Sequence, residues 1–324
     1  MLDLTRRTLL GGLLATGAIP AARAGEWPEK PVVWVIPAGP GGPFDAFARP
    51  VGAHVTEKLG QSMIIDNRSG AGGTIGAASV ARAPADGYTI LVAATSTTYA
   101  PSVYPNAGFD LARDFVPICA LARIQPALVV NPARLDVSTL QQFIEAAKQK
   151  PDSIEIGTPG VGTVPHLATL LLQSRAGIQL HHVPYRNTGQ MMQDLLGGQI
   201  AANWSTVGLA NAHVKSGKLR VLGIAGRRRE PMMPDVPTLD EAGLKDFRAA
   251  AWFALFAPKA TPVAIVDRLH VAVQEALAAD DVKAVWAEQG AKVELESRAE
   301  FTRFVDQEIV RWTGIAKNAD IHLE

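Results

Sequence analysis

Short apolar runs that break off in glycine-rich turns, each followed directly by an amphipathic stretch, recur along this chain and leave few folds open to it. Residues 32–36 are almost wholly apolar, the pattern of a strand covered on both faces in a parallel sheet. The run ends in Pro37-Ala38-Gly39-Pro40-Gly41-Gly42, and residues 45–59 then read as a helix that Gly60 terminates. Pro50 has no N–H to give and is expected to bend or confine that helix. A strand at 63–65, a glycine-rich turn at 69–73, a helix at 74–83, the turn Pro84-Ala85-Asp86-Gly87 and a strand at 88–94 continue the series. This β-α-β-α-β order opens a doubly wound sheet.

A second unit starts near Ala127 with a strand at 128–130. Ser138 and Gln141 form a capping box for a helix at 139–150. Strands at 153–157, 182–184, 200–204 and 219–225 then alternate with helices running to Ala176, at 189–196 and at 209–216. The last stretch opens with an apolar strand at 252–257 and a helix at 263–278, whose Val263, Val266, Leu269, Val273 and Leu277 share one stripe. Phe301, Phe304, Ile309, Trp312 and Ile315 mark a final amphipathic helix. No Gly/Ser linker separates these pieces. The predicted fold class is α/β, with two doubly wound lobes joined by a two-strand hinge. One lobe takes residues 25–127 plus 256–324 and the other 128–255, the strands near Leu128 and Phe256 crossing between them over a cleft.

At 324 residues and 48% hydrophobic content, the chain suits two globular units with real cores. Its 31 basic and 31 acidic residues balance, which argues against a nucleic-acid partner. Cys119 is the only cysteine, so no intrachain disulfide and no cysteine-built metal cage can form. Its apolar setting at 117–124 marks it as a buried small side chain. Arg6 and Arg7, the apolar stretch 8–19 and Ala22-Arg23-Ala24 have the layout of an export signal cleaved after Ala24. Residues 1–24 are therefore expected to be an address removed from an exported protein, an uncleaved anchor being the alternative. Thr5-Arg6-Arg7-Thr8-Leu9-Leu10 fits a twin-arginine signal and an ordinary one equally. Beyond it no run reaches the about 18 apolar residues a membrane span needs.

Motifs for nucleotides and nucleophiles fail. Prolines interrupt the glycine fingerprint at 39–44, no Gly-Lys-Ser/Thr closes a phosphate loop, and no Gly-x-Ser-x-Gly elbow exists. The histidines are scattered, and adjacent His181 and His182 would point to opposite faces of a strand. No cofactor and no metal is expected. Three loops instead leave strands at their C-terminal ends, where open α/β sheets hold ligands. Residues 37–45 and Thr158-Pro159-Gly160-Val161-Gly162-Thr163-Val164-Pro165-His166 run from glycines into helix N-termini. Exposed amides and about half a positive charge there favour a carboxylate or phosphate. Thr95-Ser96-Thr97-Thr98-Tyr99 adds a loop of hydroxyls. Each has a plainer reading: tight turns, Asp45 as a first-turn acid, His166 as a capping or packing group, and 95–98 as a solvated loop.

Longer strings carry a resemblance. They include residues 31–45, Asp66-Asn67-Arg68-Ser69-Gly70-Ala71-Gly72-Gly73-Thr74-Ile75-Gly76, Ala83-Pro84-Ala85-Asp86-Gly87-Tyr88-Thr89 and Asp114-Phe115-Val116-Pro117. Further on come 157–166, His182-Val183-Pro184-Tyr185-Arg186, Asp194-Leu195-Leu196-Gly197-Gly198-Gln199, Ser216-Gly217-Lys218-Leu219-Arg220, Pro234-Asp235-Val236-Pro237-Thr238 and 252–258. With them, essentially the whole mature chain resembles the solute-binding receptors of tripartite tricarboxylate transporters, the Bug-type, TctC-like family.

The resemblance implies a type II periplasmic binding protein, a "Venus flytrap" without enzymatic activity. Such a receptor closes on a small organic ligand, usually a carboxylate, and delivers it to membrane permease subunits. By the same resemblance, Pro40, Gly41, Gly42 and Asp45 grip a carboxylate from one lobe, and Gly160, Gly162, Thr163 and His166 from the other, partly through waters. Thr95, Ser96, Thr97, Tyr185, Arg186 and Asn203 would line the distal end, and a monomer is expected. Three departures concern ligand identity: the chain reads Pro37-Ala38-Gly39-Pro40-Gly41-Gly42 where the family commonly has Phe before Ala-Pro-Gly-Gly, Val164 stands where Ser is frequent, and Arg186 where Lys is usual. The alternative is an exported hydrolase or lyase that uses Asp45 and His166 as an acid/base pair, for which the sequence offers no third, orienting group.

Overall fold

A computed structural model describes residues 27–185, 188–292 and 295–318; the export signal expected at 1–24 and Arg186 lie outside the described residues. The chain begins β1 (Val32–Ile36), α1 (Pro43–Leu59), β2 (Met63–Asn67), α2 (Thr74–Ala81), β3 (Thr89–Ala94), α3 (Thr95–Val103), α4 (Leu111–Asp114) and β4 (Phe115–Ile124). It continues β5 (Pro126–Val130), α5 (Leu140–Gln149), β6 (Glu155–Thr158), α6 (Val164–Ala176), β7 (His181–Pro184), α7 (Thr188–Leu196), β8 (Ala202–Thr206), α8 (Val207–Lys215) and β9 (Arg220–Ile224). It closes with β10 (Ala251–Pro258), α9 (Val263–Leu277), α10 (Asp280–Glu288), β11 (Ala291–Lys292) and α11 (Arg298–Asn318).

Two sheets result, ordered β11-β4-β10-β3-β1-β2 and β7-β6-β8-β5-β9. The alternation of apolar runs and helices sets the parallel pairs β1–β2, β1–β3, β6–β7 and β6–β8. Both sheets also hold antiparallel members: β10 between β3 and β4, and β5 between β8 and β9. These are the strands that enter from the other lobe. A parallel strand runs toward the cleft and ends there, whereas a crossing chain enters at the cleft and must run away from it. The crossings fall at Gln125, between β4 and β5, and just before β10, since the Ala249 N–H still bonds Ala225 O while Ala251 pairs with Ile124. Ala127 thus pairs within the second sheet and residues 251–255 within the first, a few residues from the boundaries the apolar runs suggested.

The helices start where their caps dictate. Thr139, one residue after the expected Ser138, caps α5 by accepting from Gln142 N–H, and Gln142 Oε1 reaches back to Ser138 N–H at 2.7 Å. Residues 95–98 are not a loop: α3 starts at Thr95, directly at the end of β3, and the hydroxyls serve its first turn. Cys119 is fully buried in β4, and desolvation pushes its thiol up to about 12. Among the described residues no helix is long and apolar enough to cross a membrane.

α11 is shared by both lobes. Its Phe301 and Val305 pack with Trp252 and Phe256 of the first sheet, while Trp312 and Ala316 join the second lobe's core of Leu128, Phe143, Leu167 and Trp204. At the junction Glu308, 8% exposed, accepts from the indole N–H of Trp252 at 3.2 Å and of Trp312 at 2.8 Å. The lobes also meet at Gly208, at the start of α8. A Cβ there would lie 2.4 Å from Glu288 O and 3.1 Å from the Gln289 carbonyl carbon, so only glycine lets α8 abut the end of α10. The amino end of one helix faces the carboxyl end of the other, a favourable alignment of dipoles.

Candidate functional site

The two glycine loops are built alike. Gly41 (φ 80°) and Gly162 (φ 75°) both sit in the left-handed region, which a side chain disfavours, and each precedes a helix with proline in its first turn. In each, the glycine N–H is taken by the side chain four residues on. Gly41 N–H donates to Asp45 Oδ2 at 2.6 Å, and Gly162 N–H donates to His166 Nδ1 at 3.1 Å. These amides are therefore engaged within the loop and are not open donors, as the sequence had suggested.

Asp45 is 5% exposed and held from several sides. Arg49, one turn further along α1, pairs with its Oδ1 at 2.7 Å, and Asn67 at the end of β2 reaches Oδ2 at 3.5 Å while donating to Ala38 O at 3.1 Å. The carboxylate thus acts as a strut for the loop. Pro40 and Gly41 stand exposed above it. An open groove of about 430 Å³ runs past, lined by Gly41, Gly42, Asp45, Arg49, Pro50 and Val285 of α10. Ala46 completes the lining, and all seven residues belong to the first lobe. No side chain caps α1 at Gly42 or α3 at Ala94. Because β1 and β3 are neighbours, these two N-termini, neither capped by a side chain at its N-cap residue, flank one stretch of sheet edge, where aligned dipoles favour an anion.

The second loop is tied more densely. Thr163 Oγ1 donates to Gly160 O at 2.8 Å and accepts from His166 N–H at 3.4 Å, capping α6. His166 stacks on His182, with ring centroids 4.1 Å apart, and His182 Nε2 contacts Thr158 Oγ1 at 2.6 Å. Burial, then the neighbouring His182, holds the His166 imidazole down to about 4; burial, then His181, lowers His182. His166 is consequently neutral at pH 7, as an acceptor at Nδ1 must be.

The other expected residues divide. Thr95 Oγ1 accepts from Trp252 N–H at 2.8 Å and Thr97 Oγ1 from Ala94 N–H at 3.2 Å, so both are buried in structural bonds. Ser96 is partly exposed at the α3 N-terminus. Tyr185 N–H donates to Thr158 O, and its hydroxyl donates to Asp194 Oδ2, both at 2.8 Å. Asn203 is fully buried on β8 beside Gly157 and Val129, and neither amide atom finds a partner among the described residues. Arg49, Asn67 and His182 had not been chosen as site residues. Arg49 had a local signal, an opposite charge at i+4 from Asp45; the other two are brought in by tertiary packing. No group of three His, Cys, Asp or Glu is placed to hold a metal among the described residues.

Residues 47–321 match the family described as the tripartite tricarboxylate transporter family receptor, TctC. The chain belongs to that family. It is a solute receptor of the Bug type, with the two-lobed fold of periplasmic binding proteins, and not an enzyme. The receptor is 34% identical to Protein BugT of Bordetella pertussis over 319 residues, 98% of each chain. R. palustris Rpa4515 with adipate superposes with a TM-score of 0.80 at 34% identity, covering 92% of this receptor and 99% of that chain. MatC (Rpa3494) from Rhodopseudomonas palustris with bound malate gives 0.77 at 33% identity, covering 89% and 99%. Receptors of this family are periplasmic and serve tripartite permeases.

Proposed function

We propose that this receptor captures a small dicarboxylate between its lobes and presents it, as a monomer exported by residues 1–24, to its permease subunits. The observation that carries the reading is the matched pair of glycine loops at the strand ends of the two sheets, one beside two helix N-termini without a side-chain cap at the N-cap residue. Adipate and malate in the two similar structures, both dicarboxylates, support the ligand class. Within this reading Pro40, Gly42, Ser96, Gly160 and the segment around Arg186 meet the ligand, while Gly41, Asp45, Thr95, Thr97, Gly162, Thr163 and His166 hold the surfaces in shape. Residues 27–124 with 251–318 then form one jaw and 126–249 the other. Asp45 and His166 are each tied to their own loop's amide, which leaves no acid/base pair for the enzymatic alternative.

A thermal-shift panel of aliphatic dicarboxylates and hydroxydicarboxylates tests this. The matching compound is expected to stabilise the protein by about 2.7 kcal/mol at a hundredfold excess over its dissociation constant. A panel with no shift at all would overturn the ligand class. Closure has its own test at Gly208, where the lobes touch. Overpacking costs about 1–3 kcal/mol, so Gly208→Val should weaken the selected ligand roughly 10- to 100-fold while the open protein stays folded. Unchanged affinity would show that α8 and α10 do not meet in the bound form.

A further inference from the structure

Tyr99 belongs to α3 of the first lobe, yet its ring lies in the second lobe's core against Trp312, with centroids 5.9 Å apart and 1% of the residue exposed. Its hydroxyl donates to Gly162 O at 2.8 Å. With Gly162 N–H already on His166 Nδ1, both main-chain groups of this glycine are occupied, one from its own lobe and one from the other. The neighbouring Gly160 carbonyl is taken by Thr163 Oγ1. A left-handed glycine loop has many conformations open to it, and each such bond removes some of them.

We infer that Tyr99 is a positioning residue for ligand binding: its hydroxyl reaches across the lobe junction and sets the Gly160–Thr163 loop in its working shape before any ligand arrives. It acts through Gly162 and touches no ligand itself. The second loop then offers one fixed shape to the ligand on which the jaws close. The ligand consequence rests on the dicarboxylate reading; the positioning itself does not.

Tyr99→Phe removes the hydroxyl and keeps the ring. Hydrogen exchange on the ligand-free protein is expected to speed up roughly five- to tenfold at the amides of residues 160–164 and to stay unchanged in the strands of both sheets. Trp312→Phe perturbs the same packing without touching the hydroxyl; it should lower the melting temperature and leave the loop's relative protection as it was. Titration with adipate should show a comparable loss of affinity in Tyr99→Phe and none in Trp312→Phe. Equal loop exchange in Tyr99→Phe and the parent overturns the inference, as does a loop equally loosened by Trp312→Phe. Selective loosening with no adipate binding by either protein supports the positioning and refutes adipate as a ligand.

Discussion

Glu308→Ala is expected to cost about 3 kcal/mol of folding stability, the largest loss from any single substitution considered for this receptor. The carboxylate is the common acceptor for two buried indole N–H groups, one from β10 and one from α11. Alanine strands both donors at the place where the lobes share a helix. Arg311, at 3.2 Å from Oε1, loses its partner as well. Glu308→Gln keeps an acceptor and should cost about 1 kcal/mol, the difference between a charged and a neutral hydrogen bond. Urea unfolding of the three proteins decides the matter. A loss below about 1 kcal/mol for the alanine variant would mean that water or a shift of α11 satisfies the tryptophans.

Acid should loosen the second loop. His166 is neutral in the fold with its pKa lowered to about 4, against 6.5 in an unfolded chain. Between those values the unfolded state binds a proton that the folded state refuses, so the stabilisation is complete above about pH 6.5 and fades as pH falls toward 4. The full window is worth up to about 3 kcal/mol. His166→Asn offers an oxygen near the Nδ1 position and cannot titrate there. The stability of the parent minus that of His166→Asn, from unfolding at pH 7 and pH 4.5, is expected to drop by about 2 kcal/mol on acidification. A flat difference would show that Gly162 N–H does not depend on this imidazole. Ligand affinity should hold until pH approaches about 4, where the folded imidazole itself takes a proton and Nδ1 changes from acceptor to donor facing the Gly162 amide.

Much of the site was legible because its signals are local. Glycine before a proline-started helix, an acid or histidine four residues past the glycine, and hydroxyls after an apolar strand can all be read along the chain. Their use was harder to see. Asp45 and His166 looked like ligand contacts, and each is bonded to its own loop's amide, because a first-turn side chain reaches that amide more readily than the cleft. Thr95 and Thr97 lost their freedom to β10 and to the turn of α3. Nothing local pointed to the partners of His182 and Tyr99, which lie 16 and 63 residues away and are set only by how the sheets and helices stack.

Periodicity and glycine placement were enough to establish the α/β order, two sheets, loops at strand ends and a chain that leaves one lobe and returns. These features depend on which residues can be buried and which backbone angles a side chain permits, and both are properties of a short stretch. Packing in three dimensions decided the rest. It turned β5 and β10 antiparallel because they enter at the cleft, spread α11 over both cores, placed Glu308 under two tryptophans and joined Tyr99 to Gly162. Each of these satisfies a buried polar group or a crossing direction with a partner far away in the chain, and no local pattern records that distance.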